Sequence, residues 1–148
     1  MWHKYRMTII NFQTLFQGDW RFERQVTGLF SENAFLKGRA VFMDLPKSIQ
    51  RSYEEQGAYE QQGQEVSFQN SYLYDVPSPQ CCRVLFPDGR LFYELSQNVQ
   101  GLQHLCGEDH YEGNFEAVSQ DLWTLSWYVK GPRKDYEIVT SYIREFVL

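Results

Sequence analysis

The segment LWTLSWYVK (Leu122–Lys130) decides the fold class, because its side chains alternate between two faces. A period of two predicts a β-strand. One face is strongly apolar and consists of Trp123, Leu125, Trp127 and Val129. The other face mixes apolar with semi-polar side chains and consists of Leu122, Thr124, Ser126 and Tyr128. The solvent face of a β-sandwich is more uniformly polar, so this strand favours a barrel.

The same alternation continues on both sides of this segment, from Gly18 to the end of the chain. The alternating segments cover residues 20–26, 35–43, 51–60, 66–74, 82–86, 92–95, 104–106, 111–118, 122–130 and 136–146. The turn after the fifth segment contains Asp88 and Gly89, which is a strong β-hairpin signal. Because no helical crossover separates the segments, the sheet is expected to be antiparallel. The sequence therefore predicts an all-β fold, a single antiparallel barrel of about eight to ten strands.

One short helix is predicted in front of the first strand. A one-sided apolar stripe with helical spacing is formed by Ile9, Ile10, Phe12, Leu15 and Phe16. Thr8 is a suitable N-cap, and Gly18 lies just past the expected end. We therefore expect a helix over residues 8–16 that packs on the rest of the fold.

Length and composition limit the classes of protein to consider. The chain has 148 residues, so we expect one β-barrel domain over residues 1–148, with residues 1–7 disordered. Aromatic residues make up 17% of the chain, with 10 Tyr and 11 Phe, which favours strands and pocket walls. The net charge is −5 and no basic block occurs, so a nucleic-acid partner is not expected.

The expected location is the cytoplasm. No apolar run approaches the roughly 20 residues that a membrane-spanning helix needs, and no secretory signal peptide is recognisable at the start. The cysteines Cys81, Cys82 and Cys106 are odd in number and two are adjacent. They form a poor disulfide framework, which is typical of a reducing compartment.

Gly18, Trp20 and Arg144 carry a resemblance to a known superfamily. Gly18 and Trp20 open the first strand after the short helix, and Arg144 ends the last long strand. This order resembles the lipocalin and calycin superfamily, in which such an arginine packs across the tryptophan ring at the closed end of the barrel. The resemblance implies a calycin-type barrel with Arg144 on Trp20, a contact worth ~0.5–2 kcal/mol.

A second resemblance spans nearly the whole chain. The chain is similar to a family of short bacterial and fungal proteins without assigned function. The strings that carry the similarity are FPDGR (86–90), HLCGEDHY (104–111), the Trp123 and Trp127 pair, GPRKDY (131–136) and TSYIR (140–144). GPRKDY is the most specific of them. This resemblance implies the barrel but no chemistry.

The GPRKDY string is also the best candidate for part of a binding site. Its Gly-Pro pair predicts a turn, and Arg133 and Lys134 then place two cations beside the start of the last strand. One interpretation is an anion clamp at a pocket mouth that holds the acidic end of a greasy ligand. The alternative is a solvated loop whose cations are neutralised by Asp135 or Glu137.

His104, Cys106, Asp109 and His110 lie within seven positions. Structural zinc sites draw on two Cys/His pairs and no second pair is present, so no metal is expected. Cys106 and His104 have the spacing of a nucleophile and its base, but a buried Cys beside a hydrogen-bonded His is commoner. We expect His104 and Tyr111 to be polar groups in a mostly apolar pocket wall.

A haem-binding barrel stays open as an alternative. The chain is similar in size and class to small haem barrels of the nitrobindin kind, and that resemblance would make His104 or His110 the axial ligand.

Arg24, Arg39 and Glu55 lie on strand faces that are expected to point inward. A buried charge must be paired, and an inward arginine would meet a ligand carboxylate. The alternative is a register shift by one residue, which would turn these side chains to water. The tyrosines suit either a pocket for a flat ligand or cross-strand packing; they are Tyr72, Tyr74, Tyr93, Tyr136 and Tyr142.

The function that we expect is an intracellular binding protein that holds a small hydrophobic or amphipathic ligand with an acidic end. The alternatives are a barrel enzyme of isomerase, cyclase or chromophore-lyase type, the haem barrel, and a protein-interaction module. The expected partner is a small lipophilic molecule, no cofactor is expected, and a homodimer stays open. The expected ligand-binding residues are Arg24, Arg39, Tyr74, Tyr93, His104, Cys106, Tyr111, Trp127, Arg133, Lys134, Tyr136 and Tyr142.

Overall fold

A computed structural model describes residues 10–28, 33–46, 48–97 and 101–146 of the chain. In these ranges one short helix, α1 (Phe12–Leu15), precedes ten strands. The strands are β1 (Gly18–Gly28), β2 (Ala34–Asp44), β3 (Gln50–Gln61), β4 (Gln64–Ser78), β5 (Cys81–Leu85), β6 (Leu91–Ser96), β7 (Gly101–Cys106), β8 (Asp109–Ser119), β9 (Leu122–Gly131) and β10 (Lys134–Arg144). The predicted all-β fold with a short helix is confirmed.

The ten strands form one antiparallel sheet that curls into a nearly closed barrel. Their order is β6-β5-β4-β3-β2-β1-β10-β9-β8-β7, so β1 pairs with β10 and only β6 and β7 remain as edges. Aromatic side chains close the gap between these edges. The ring of Phe92 stacks on Trp127 at 5.2 Å and meets His104 at 5.1 Å, while Tyr93 meets Trp127 at 5.2 Å.

The predicted helix begins too early. Asn11 is extended, with φ −98° and ψ 108°, and its side chain accepts hydrogen bonds from the backbone N–H groups of Gln13 and Thr14. Because this side chain takes the place of a preceding helical turn, α1 starts at Phe12. The expected N-cap Thr8 and the expected disorder of residues 1–7 lie outside the described ranges. No helix in those ranges has the length and apolar character needed to cross a membrane.

Three inward-facing glycines allow aromatic rings to lie flat on the neighbouring strand. A Cβ atom at any of these glycines would lie 2.5 Å from a ring atom, closer than real contacts allow. The cross-strand pairs are Gly38 with Phe22, Gly57 with Phe68, and Gly113 with Trp127. Such glycine–aromatic pairs let a sheet curve strongly while the rings cover the exposed backbone.

Arg144 pins α1 to the paired strands β1 and β10 at one end of the barrel. Its guanidinium lies 4.3 Å from the ring centroid of Trp20, which confirms the predicted contact. It also donates to the carbonyl oxygens of Thr14 (3.1 Å) and Gln17 (2.9 Å), and to the carboxylate of Asp121 (2.8 Å). These bonds satisfy carbonyl groups that the end of a helix leaves without partners.

A second arginine, which sequence patterns did not single out, completes this closed end. Arg51 of β3 donates to the carbonyl oxygens of Gln13 (2.5 Å) and Phe16 (2.8 Å) and pairs with Asp44 at 3.2 Å. The two cations near the C-terminus of α1 also interact favourably with the partial negative charge of its terminal carbonyl groups. The short helix is therefore held as a plug by charged hydrogen bonds from two distant strands.

Replacing Arg144 by Ala should lower the free energy of unfolding by about 3 kcal/mol, because both the cation–π contact and several charge-assisted hydrogen bonds are lost. Urea denaturation followed by circular dichroism measures the change. The matched control is Arg39→Ala, since Arg39 is 77% exposed on the outer face. Equal stabilities of the two variants would contradict the pinning role of Arg144.

Candidate functional site

The interior of the barrel differs between its two halves. Near α1 the inward side chains are fully buried; they include Phe16, Trp20, Phe42, Tyr74 and Trp123. In the opposite half, Trp127 and Val129 of β9 stay buried, but several inward side chains on the other strands are only half-buried. They include Val26, Leu36, Tyr59, Phe68, Tyr111 and Ile138. We call this open half the cup, and it is defined by these six residues.

A pocket of about 490 Å³ opens at the rim of the cup. Its inner wall consists of Val26, Leu36 and Tyr59, and its outer part is formed by Asn33, Ala34 and residues 60–62. Leu36 is the cross-strand partner of Arg24 and Val26 is the next inward residue of β1, so the pocket begins at the level of that arginine and extends toward the rim. A cavity of this volume, with an apolar inner wall and a polar mouth, is large enough for a small molecule.

A bidentate ion pair forms the floor of the cup. Arg24 of β1 donates from its two terminal nitrogens to the two carboxylate oxygens of Glu55 on β3, at 2.7 and 2.9 Å. The Arg24 side chain is 14% exposed and that of Glu55 only 2%. Arg24 also donates through Nε to the hydroxyl of Thr140 on β10 at 2.8 Å. The floor therefore ties together three strands that are far apart in sequence.

Further hydrogen bonds complete the coordination of Glu55. The Tyr53 hydroxyl donates to Glu55 Oε1 at 2.6 Å and lies 3.0 Å from the hydroxyl of Tyr142. The side-chain amide of Asn70 donates to Glu55 Oε2 at 3.0 Å. Tyr142 in turn stacks on the indole of Trp123 at 3.8 Å. The polar floor thus rests directly on the aromatic core.

The pKa shifts show that both members of the pair are ionised. Burial would raise the pKa of Glu55, but hydrogen bonding to Arg24 outweighs this effect and holds the pKa below its ordinary value. Burial would likewise lower the pKa of Arg24, and the hydrogen bonds to Glu55 instead raise it. Burial raises the pKa of Tyr142 to about 12 and that of Tyr53 well above its ordinary value. The tyrosine hydroxyls are therefore neutral donors at physiological pH.

Three of the strings singled out in the sequence, FPDGR, HLCGEDHY and GPRKDY, lie at turns of the rim. Each of the turns β3–β4, β5–β6, β7–β8 and β9–β10 lies at the end of the barrel opposite α1, as the antiparallel strand order requires. At this rim Lys134 pairs with Asp109 at 2.8 Å and Arg90 pairs with Asp88 at 2.7 Å. Arg133 is exposed in the β9–β10 turn, and among the described residues it has no ion pair.

The two arginines that were expected to face inward lie on opposite faces of the sheet. Arg24 lies inside the barrel, but its charge is matched by Glu55. Arg39 lies on the outer face, 3.4 Å from Glu145, so the inward orientation expected for it is wrong. The reason is that Gly38, the inward neighbour of Arg39, leaves its space to the ring of Phe22. With a glycine at inward position 38 and the exposed Phe35 on the other face, the outer face of β2 looks in sequence like the apolar, inward one.

The other expected site residues fall into three groups. Tyr74, Tyr93 and Tyr142 are buried among the aromatic side chains on the floor or below it, and Trp127 is buried against the β6–β7 gap. His104, Tyr111 and Tyr136 are half-buried in the upper wall. Arg133 and Cys106 are exposed at the rim, where Lys134 is half-exposed.

The contributors to the floor that sequence reasoning missed are Tyr53, Asn70 and Thr140. All three have the inward parity of their strands, and Asn70 is the cross-strand partner of Glu55. A polar residue between the inward Phe68 and Tyr72 is the signal that would have identified Asn70. In the part of the chain that the structure describes, no group of three His, Cys, Asp or Glu side chains is placed to hold a metal ion.

Comparison with solved structures finds the same fold at low sequence identity. The S-type phycobiliprotein lyase CPES from Guillardia theta superposes with a TM-score of 0.65 and 10% identity, covering 97% of this chain and 96% of that one. Rv2717c from M. tuberculosis superposes with a TM-score of 0.53 and 13% identity, covering 89% of this chain and 94% of that one. At such identities these similarities show a shared barrel fold.

Sequence comparison gives one further result. A family model described as "Family of unknown function (DUF6314)" matches residues 16–144. No curated protein matches the sequence. The match agrees with the expected resemblance to a family without assigned function.

Replacing Glu55 by Gln should lower the free energy of unfolding at pH 7 by about 3–5 kcal/mol, because Arg24 is left as an uncompensated buried charge. The folded-state pKa of Glu55 is depressed, so its contribution to stability is present above its ordinary pKa and is lost as the pH falls through the folded-state pKa. The difference between wild type and variant should therefore shrink on acidification. Urea unfolding at a series of pH values from about 7 to about 3 measures it.

The control for this experiment is Glu23→Gln, which removes an exposed carboxylate next to Arg24 in sequence. It should leave both the stability at pH 7 and its pH dependence close to those of the wild type. A Glu55→Gln variant with the same pH profile as the wild type would show that Glu55 is not ionised at the floor.

Proposed function

The chain belongs to the family of unknown function DUF6314, and we propose that it is a binding protein which holds a small hydrophobic or amphipathic molecule in the cup. The observation that carries this proposal is the contrast between the two halves of the interior. A barrel without a ligand needs no inward apolar surface that reaches solvent, yet Val26, Leu36 and Tyr59 line an open pocket. A ligand with an apolar body would cover this surface.

The state of the floor supports binding rather than catalysis. Glu55 accepts four hydrogen bonds and is held by Arg24, so it is not available as a general base. The raised pKa of Tyr53 keeps its hydroxyl protonated. A catalytic acid or base would need a pKa near the working pH. These groups instead form a fixed polar surface against which a ligand can rest.

We assign the outer end of the ligand to the rim near Arg133. Lys134 is occupied by Asp109 and Arg90 by Asp88, whereas Arg133 is exposed in the adjacent turn. An amphipathic ligand with an acidic outer group would place that group beside the Arg133 guanidinium. We also assign the protein to a reducing compartment such as the cytoplasm, which its three free cysteines support.

Narrowing the pocket with a larger side chain should weaken binding. Nile red, a neutral dye that fluoresces in apolar surroundings, should bind the wild type, and Leu36→Trp should weaken its binding at least tenfold because the larger side chain occupies the pocket. Fluorescence titration measures the dissociation constants. The control is Phe35→Trp, a change of the neighbouring residue on the outer face. No binding to the wild type, or equal binding to Leu36→Trp, would overturn the proposed function.

Removing the rim cation should affect anionic ligands alone. Replacing Arg133 by Ala should weaken binding of the anionic dye 1-anilinonaphthalene-8-sulfonate about threefold to tenfold and leave Nile red unchanged, because only the sulfonate meets the guanidinium. Arg90→Ala is the control, since it removes another exposed rim arginine that is already paired with Asp88. Unchanged affinity for the anionic dye in Arg133→Ala would refute the role of this turn.

A further inference from the structure

The hydrogen bonds of the floor determine which kind of chemical group would fit against it. A carboxylate has about four lone-pair sites, and all four on Glu55 are filled by Arg24, Tyr53 and Asn70. Arg24 uses three of its five N–H groups on Glu55 and Thr140. The charges of the pair cancel, so the floor offers no free charge to a ligand.

Asn70 is the part of this floor that a ligand can reach. Its side chain is on the inner face of β4, and the residue is exposed to solvent. One amide N–H is donated to Glu55. Among the described residues the amide makes no other hydrogen bond, so its carbonyl oxygen and its second N–H remain available. Asn70 therefore offers one acceptor and one donor side by side.

The neighbours of Asn70 provide an apolar setting for these two groups. Phe68 and Tyr72 flank it on the inner face of β4, and both rings are half-buried. Phe68 meets the ring of Tyr59 at 6.5 Å, and Tyr59 belongs to the wall of the rim pocket. Tyr59 thus connects the wall of the rim pocket with Phe68, the inward neighbour of Asn70 on β4.

From this arrangement, and building on the proposed function, we propose that the cup selects a ligand whose inner end is an uncharged group that both donates and accepts hydrogen bonds, as a carboxamide or lactam does. Such a group pairs with Asn70 through two hydrogen bonds and disturbs no charge. An anionic end could reach the N–H groups that Arg24 and Asn70 leave free, but it would lie close to the Glu55 carboxylate, whose charge opposes it. A cationic end would find every acceptor site on Glu55 occupied, so neither charge would gain an ion pair that offsets its desolvation.

The test compares three ligands that share one alkyl chain and differ only in the polar end: octanamide, octanoate and octylammonium. Their dissociation constants are measured by displacement of Nile red from the wild type and from Arg133→Ala, in which the rim cation no longer holds a carboxylate. Octanamide should bind roughly tenfold more tightly than either charged ligand to Arg133→Ala, since two neutral hydrogen bonds replace a desolvated charge. Equal or tighter binding of octanoate or octylammonium would overturn the proposal.

The role of Asn70 is tested with Asn70→Leu, a change of similar size that removes both hydrogen-bonding groups. It should abolish the preference for octanamide, and the measurement is the ratio of the octanamide and octanoate dissociation constants. Gln69→Leu, the same change at the neighbouring outward position of β4, should keep the preference. If octanamide is still preferred by Asn70→Leu, the assignment to Asn70 is wrong. The comparison of the three ligands on Arg133→Ala does not depend on how well Asn70→Leu folds.

Failure of this proposal can be told from failure of the proposed function. If Nile red does not bind the wild type, the cup holds no ligand and both proposals fall. If Nile red binds but the three ligands compete equally, the cup binds apolar molecules and only the selectivity for an uncharged end is wrong.

Discussion

The Arg24–Glu55 pair sets the level at which the barrel changes from a packed core to an open cup. Burying two charges is tolerated only when geometry is good and every remaining hydrogen-bonding group has a partner. Here the partners come from β1, β3, β4 and β10, through Arg24, Glu55, Asn70 and Thr140. The ion pair can therefore form only when neighbouring strands between β4 and β10 pair in their observed registers. The aromatic core lies on one side of this level and the pocket on the other.

At the closed end, a four-residue helix fills the opening of the barrel. A helix this short has no stability of its own. Arg51 and Arg144 bind its terminal carbonyl groups, and Trp20 lies beneath the Arg144 guanidinium. Because β1 and β10 carry Trp20 and Arg144, the same contact joins the first and last strands of the chain, which pair in the middle of the sheet. The plug is thus held by side chains at the centre of the sheet, whereas aromatic rings cover the gap between β6 and β7.

Sequence alternation predicts which face a residue takes but not the level at which it lies along the barrel. Alternation correctly predicted the strands and the inward direction of Arg24, whereas the Arg144–Trp20 contact was implied by the resemblance to the lipocalin and calycin superfamily. The roles of Asn70 and Arg51 depend on pairing with distant segments, which no local pattern contains. The error at Arg39 has a local cause, since the inward position beside it is a glycine covered by an aromatic ring from the next strand. The helix was predicted to start too early because the Asn11 side chain caps it, so that α1 begins at Phe12.

Stability alone does not account for the ion pair at the floor. Replacing a buried pair by apolar residues of similar volume is often neutral or stabilising, and a purely structural barrel would extend its aromatic core upward past residue 24. Instead, Asn70, Glu55 and Arg24 lie at the inner boundary of the open half. The lowered pKa of Glu55 keeps its carboxylate ionised. Such a surface is polar, electrically neutral and fixed in geometry. Those three properties are what a rigid barrel needs in order to orient an uncharged polar group at the inner end of an apolar ligand.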